Sequence, residues 1–178
     1  MSDSRSLHYQ LCLEGARWLR RRKGGCRECT ARENCKEPYY VCAKFKYVAV
    51  ELCVNGAENA DVWAFDGFCT VVIEVKTSHA DFLNDKKKFW RGCDDEFQAG
   101  NLRWFLCPEG VIRPDELPDG WGLLYWNGKK VYPVTPPVRR MQGCHGDIRI
   151  LYSLLRREKF PEKIFNYRGY PTTIHSKV

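Results

Sequence analysis

The residues best suited to chemistry lie in the run "ADVWAFDGFCTVVIEVKTSHADF", positions 60 to 82, where Asp61, Glu74 and Lys76 interrupt an otherwise apolar pattern. Asp66-Gly67 between Phe65 and Phe68 reads as a two-residue hairpin turn, which pairs Asp61 with Val72 and sets it diagonal to Glu74. Side chains alternate along a strand, so Asp61, Glu74 and Lys76 then share one face, while Val62, Ala64, Val71, Ile73 and Val75 share the other. A one-residue change of register would turn Asp61 toward the apolar side and bury its charge. Two carboxylates brought together repel unless a cation lies between them, and hard oxygen ligands suit Mg²⁺ or Mn²⁺. A lysine two residues beyond the second carboxylate is placed to orient water or to stabilise charge on a phosphoryl oxygen. The chemistry implied is metal-assisted phosphodiester hydrolysis.

A second constellation is Cys26-x2-Cys29-x5-Cys35-x6-Cys42, in a polar stretch with little apolar periodicity. Four thiols so spaced match a tetrahedral zinc site, worth on the order of 10 kcal/mol in small zinc modules. A [4Fe-4S] cluster is the competing reading, because it also takes four thiolates. The other six cysteines, at positions 12, 53, 69, 93, 107 and 144, are scattered and read as core fillers.

The elements that must position these residues follow from periodicity and turn signals. Residues 6 to 23 have leucines at helical spacing and a cationic end before Gly24-Gly25. Strands are expected at 46 to 54, 60 to 65, 69 to 76 and 101 to 108. A helix starts at Ser78, with Asp81 completing a capping box, and directs Phe82, Leu83 and Phe89 inward. Its Lys86, Lys87, Lys88 and Arg91 form either a solvated face or a set of contacts to a phosphate backbone. "WGLLYW" and "KVYPV" flank Asn127-Gly128 as a hairpin, and a last helix runs from 146 to 160 before a basic, aromatic tail at 159 to 178. The reading is a single mixed α/β domain over 1 to 178, with a Cys-rich metal-binding insertion at 24 to 44.

Composition agrees with a polyanionic partner. The 178 residues hold 29 Lys plus Arg against 22 Asp plus Glu, a formal net charge of +7. The start "MSDSRSLHYQ" lacks a signal-type apolar region, and no run approaches the roughly 18 apolar residues of a membrane span. A soluble, cytoplasmic protein without a membrane partner is expected, in which clustered thiols bind metal rather than pair as disulfides.

Asp61, a turn, then Glu74-Val75-Lys76 resembles the D…(D/E)-x-K signature of the PD-(D/E)XK nuclease superfamily. The run from 60 to 90 is similar to a small bacterial and phage subgroup, the MmcB-like proteins assigned to DNA repair, and the resemblance covers about residues 45 to 125. It implies a restriction-endonuclease-like αβββαβ core, extended here by a hairpin and a C-terminal helix. It also implies Asp61, Glu74 and the Val75 carbonyl as metal ligands, Lys76 as the catalytic lysine, and a further ligand from Glu14 or Glu51. Ala60 stands where the superfamily's name has proline. Cysteines of its cluster-bearing members bracket the core from both sides, which favours zinc for the set at 26 to 42. The resemblance implies a Mg²⁺- or Mn²⁺-dependent nuclease in repair, recombination or phage DNA metabolism, with DNA preferred over RNA, acting as a homodimer or within a larger complex in a bacterial cytoplasm. The other class that stays open is a nucleic-acid-binding or assembly module that keeps the fold without turnover.

Overall fold

The computed structural model describes residues 6–21, 45–85, 98–140 and 145–158. The four-cysteine set, Cys93, Cys144, Lys86, Lys87, Lys88, Phe89, Arg91 and the tail at 159 to 178 lie outside the described residues.

Helix α1, Leu7–Arg20, starts at Ser6, whose hydroxyl accepts from the Tyr9 amide. Strands β1 (Tyr47–Val50), β2 (Val62–Phe65) and β3 (Thr70–Val75) form an antiparallel meander. Helix α2, His79–Asp85, crosses to β4 (Leu102–Pro108), which pairs parallel with β3. After a 3₁₀ turn at Pro114–Glu116, β5 (Gly122–Trp126) adds parallel to β4 and β6 (Val131–Thr135) returns antiparallel. Helix α3, His145–Arg157, closes the described chain. The result is a mixed α/β fold on one six-stranded sheet, in sequence order from β1 to β6. No helix among the described residues is long and apolar enough to cross a membrane.

Strand alternation sorts the core as the sequence pattern requires. Val62, Ala64, Val71, Ile73 and Val75 join Leu102, Trp104 and Leu106 beneath Leu11, Trp18 and Leu19 of α1. The opposite face divides in two. Trp63 and Val72 pack with Ile150 of α3, whereas Phe105, Cys107 and Leu123 pack with Phe82 of α2. Polar residues also lie buried on this face. Arg103 pairs with Glu58 and stacks over the Trp121 ring, 4.4 Å from its centroid.

Asp147 in the first turn of α3 fastens that helix to the sheet. Its carboxylate accepts from Trp63 Nε1 at 2.7 Å, from the Thr70 hydroxyl at 2.8 Å and from the Gly100 amide at 3.1 Å. Gly100 has φ +84°, and a Cβ there would come within 2.9 Å of Val72, so glycine is what lets this amide approach. At the far edge of the sheet, β6 has Pro133 opposite Leu124, and the pairing shifts register between Leu123 and Leu124.

Several expectations are corrected. The first strand ends at Val50, because Glu51 adopts φ +49° and leaves the extended conformation. The β2–β3 connection is a four-residue loop, Asp66–Cys69, in which the Asp66 carboxylate accepts from the amides of Phe68 and Cys69. The pairing is Phe65 with Thr70 and Val62 with Ile73, so continuing the ladder sets Asp61 across from Glu74 rather than Val72. Because the loop is longer by an even number, every side chain keeps its face. Leu83 is exposed, since Phe82 and Asp85, three apart, take the inward positions of α2. Cys12, Cys69 and Cys107 are buried as expected, but Cys53 is exposed.

Candidate active site

The ends of three strands come together at the site. Glu51 donates its amide to the Asp61 carbonyl at 2.8 Å, and with Asp61 across from Glu74 the backbones of the three carboxylate-bearing residues stand abreast, just past the end of β1, just before β2 and on β3. Among the described residues Glu51 is the one non-glycine with positive φ. Left-handed backbone costs such a residue roughly 1 kcal/mol, and strain of this kind concentrates where function demands a particular side-chain direction.

Each carboxylate has a distinct environment. Asp61 Oδ2 accepts from the Val75 amide at 2.7 Å, which holds Asp61 against the last rung of β3. Glu74 is 2% exposed and its Oε2 lies 3.7 Å from Lys76 Nζ. Lys76, 3% exposed, donates to Asp85 Oδ1 at 2.8 Å. Glu51 is 47% exposed along its side chain and faces His8, whose Nδ1 is 3.5 Å from Glu51 Oε1 and whose Nε2 is 3.4 Å from Asp61 Oδ1. Of the residues expected at the site, the structure brings Asp61 to the Val75 amide and Glu74 to Lys76. Between the two candidates for a further acid, geometry selects Glu51. Glu14 pairs with Arg17 on α1 and lies six positions beyond His8, about 9 Å along the helix axis.

Sequence reasoning missed His8 and Asp85. For Asp85 the signal was its i, i+3 relation to Phe82, which placed a carboxylate on the buried side of α2. His8 offered none, because its partners are on other strands. Asp81 donates its amide to Ser78 Oγ as the capping reading requires. Its carboxylate also contributes to the negative field at His8.

That field holds the His8 proton to a higher pH than an ordinary imidazole. The largest cause is the hydrogen bond to Asp61; partial burial works against it, and the charges of Asp61, Glu51 and Asp81 add to it. The linked stabilisation is fully present below the unfolded value of about 6.5 and is lost as pH rises through the folded value. An NMR titration is expected to place the His8 midpoint above about 6.5, and Asp61→Asn to move it down. An unchanged midpoint in that variant would mean the contact does not exist in solution.

No protein-family model matches the chain, and no curated protein matches it. One solved structure is similar: a protein of unknown function from Silicibacter pomeroyi, 19% identical, with 67% of this chain and 84% of that chain covered at a TM-score of 0.46.

The donor set was tested for its fit to a metal. Glu51, Asp61, Glu74 and Asp85 bring four carboxylates against one lysine and one histidine, an excess of negative charge that a divalent cation offsets. Among the described residues, the one group of three or more such side chains whose ligand atoms all lie within 4.8 Å of one another is His8, Cys12 and Glu51, a softer grouping. The Cys12 thiol, however, is pushed up strongly, first by burial and then by the charges of Asp61, Glu51 and Glu74. Thiolate ligation is therefore disfavoured there, and the oxygen-rich side suits Mg²⁺ or Mn²⁺ better.

Proposed function

We propose that the protein is a Mg²⁺- or Mn²⁺-dependent nuclease of PD-(D/E)XK type acting on DNA. The observation that carries this reading is the alignment of Glu51, Asp61 and Glu74 on adjacent strand ends with Lys76 one further alternation along β3. The element order supports it, since a helix, an antiparallel three-strand meander, a crossing helix and a strand parallel to β3 form the arrangement that the resemblance implies.

Asp61, Glu74 and Glu51 would hold the cation, with the Val75 carbonyl as the further oxygen that the resemblance implies; the Val75 amide already ties Asp61 to β3. Such an ion supplies Lewis-acid stabilisation of the phosphoryl group and a more acidic bound water. Lys76, its direction set by Asp85, supports the same charge from the protein side.

A second reading, a binding or assembly module with little turnover, draws on the burial of Glu74 and Lys76 and on the engagement of Lys76 with Asp85. Cleavage of single-stranded, double-stranded and branched DNA separates the two. Wild type is expected to cut with Mg²⁺ or Mn²⁺ and not in EDTA. Asp61→Asn and Glu74→Gln, which keep side-chain shape, are expected to lose at least about 100-fold. Binding without cleavage under every metal condition would establish the module instead. The same preparation, assayed for metals before chelation, tests the Cys26, Cys29, Cys35, Cys42 proposal: about one zinc per chain is expected, whereas iron with a brown chromophore would mean a cluster.

A further inference from the structure

A second concave surface adjoins the chain segment that carries Glu51. A groove of about 740 Å³ is lined by Cys53, Val54 and Asn55 of the β1–β2 connection and by Arg149, Tyr152, Ser153, Arg156 and Arg157 of α3. Three arginines and the neutral hydrogen-bonding side chains of Asn55, Tyr152 and Ser153 line it, and among the described lining residues there is no carboxylate. Guanidinium groups bind phosphate oxygens through paired, directional N–H donors, which makes such a set selective for phosphate rather than merely for negative charge.

Two of these arginines have fixed seats. Arg157 Nη2 donates to the Cys53 carbonyl at 2.7 Å, joining the helix to the loop. Arg149 lies against Gly56, where φ is +75° and a Cβ would stand 1.9 Å from Nη1, so only glycine admits it. Arg156 stacks on the Tyr152 ring, 5.8 Å from the centroid, and that ring is 63% exposed. An exposed aromatic face beside arginines is the surface on which an unpaired base stacks. The groove begins two residues beyond Glu51, within about 7 Å along the chain.

We propose that this groove carries the sugar–phosphate backbone of a single nucleic-acid strand, with Tyr152 as the stacking surface for a base, and leads that strand toward the carboxylates. The choice of polymer rests on the nuclease reading; the groove itself does not. Arg149, Arg156 and Arg157 take phosphates without sequence preference, so binding weakens steeply with salt.

Cys53 gives a direct test, because its thiol is exposed in the groove while Cys12, Cys69 and Cys107 are buried. The full chain is alkylated in EDTA, so that nothing is cut, and modification of Cys53 is followed by peptide mass mapping. A thymidine oligonucleotide of about 10 residues is expected to slow Cys53 modification about tenfold, with protection disappearing as salt rises from about 50 to about 200 mM. Tyr152→Ala and Arg156→Gln, both changes on α3 that leave the carboxylates in place, are each expected to weaken oligonucleotide binding about tenfold. An unchanged Cys53 rate at oligonucleotide levels that saturate fluorescence anisotropy would overturn the proposal. Equal protection by polyglutamate would overturn it in favour of an acidic protein partner, and equal protection by duplex would remove the stacking role. Protection without metal-dependent cleavage would sink the nuclease reading and leave the groove; cleavage without protection would do the reverse.

Discussion

Asp85→Ala is expected to cost about 3–5 kcal/mol of stability and to reduce cleavage about 10- to 100-fold. The Lys76 ammonium is almost wholly buried, and its hydrogen bond to Asp85 at 2.8 Å is shorter than its 3.7 Å approach to Glu74. Removing Asp85 leaves the ammonium facing Glu74 at a distance too long for a hydrogen bond and without the partner that sets its direction. An uncompensated buried charge is among the costliest single defects, whereas replacing both members of a pair by apolar residues is often neutral. Lys76→Met with Asp85→Leu should therefore recover part of the stability, less what buried Glu74 loses with its ion-pair partner, and none of the cleavage. Asp85→Asn, which retains an acceptor oxygen, should fall between, keeping partial cleavage. Urea unfolding paired with the cleavage assay checks all three. If Asp85→Ala unfolds and cuts like wild type, Lys76 is not held as described, and the lysine must reach its work another way.

A comparable loss is expected of Asp147→Ala, about 3–4 kcal/mol, from leaving the Trp63 indole, the Thr70 hydroxyl and the Gly100 amide as buried donors without this acceptor. Its distinguishing feature is where the damage falls. Asp147 secures the N-terminal turn of α3, and α3 carries the arginines of the groove, so oligonucleotide binding should weaken together with stability. The carboxylates stand on strand ends and do not depend on α3 for their backbone pairing. Asp147→Asn keeps one acceptor oxygen and should lose less. Thermal unfolding and anisotropy at a temperature where the variant remains folded measure the two effects separately; loss of stability with unaltered binding would mean that α3 keeps its seat without Asp147.

How far the sequence could be read depends on the range of the interaction. Alternation along β2 and β3 is local, and it put the valines beneath α1 and turned Glu74 and Lys76 the other way, toward Asp85 of α2, even though the turn was two residues longer than expected. The longer turn could not be read from Asp66-Gly67, because the deciding contacts are the Asp66 carboxylate to two following amides. His8 and Asp147 escaped for a different reason. Trp63 and Asp147 are separated by 84 positions and Thr70 and Asp147 by 77, and no periodicity connects residues so distant. Asp147 in particular looks like an ordinary acid in a helix's first turn, stabilising the dipole from the surface, until the sheet is laid beneath it. The groove was illegible for the same cause, since its two walls meet through residues as far apart as Cys53 and Arg157, 104 positions along the chain.

Pro133 bears on how two copies of the chain would associate. It lies in β6, the border of the sheet, where a proline offers an incoming strand a carbonyl but no N–H, and the shifted pairing beside it bends the border further. Growth of the sheet by strand addition is blocked on that side, so the sheet is guarded there against open-ended, fibril-like stacking. A homodimer built to bring two cutting centres onto one duplex would have to join elsewhere than along β6.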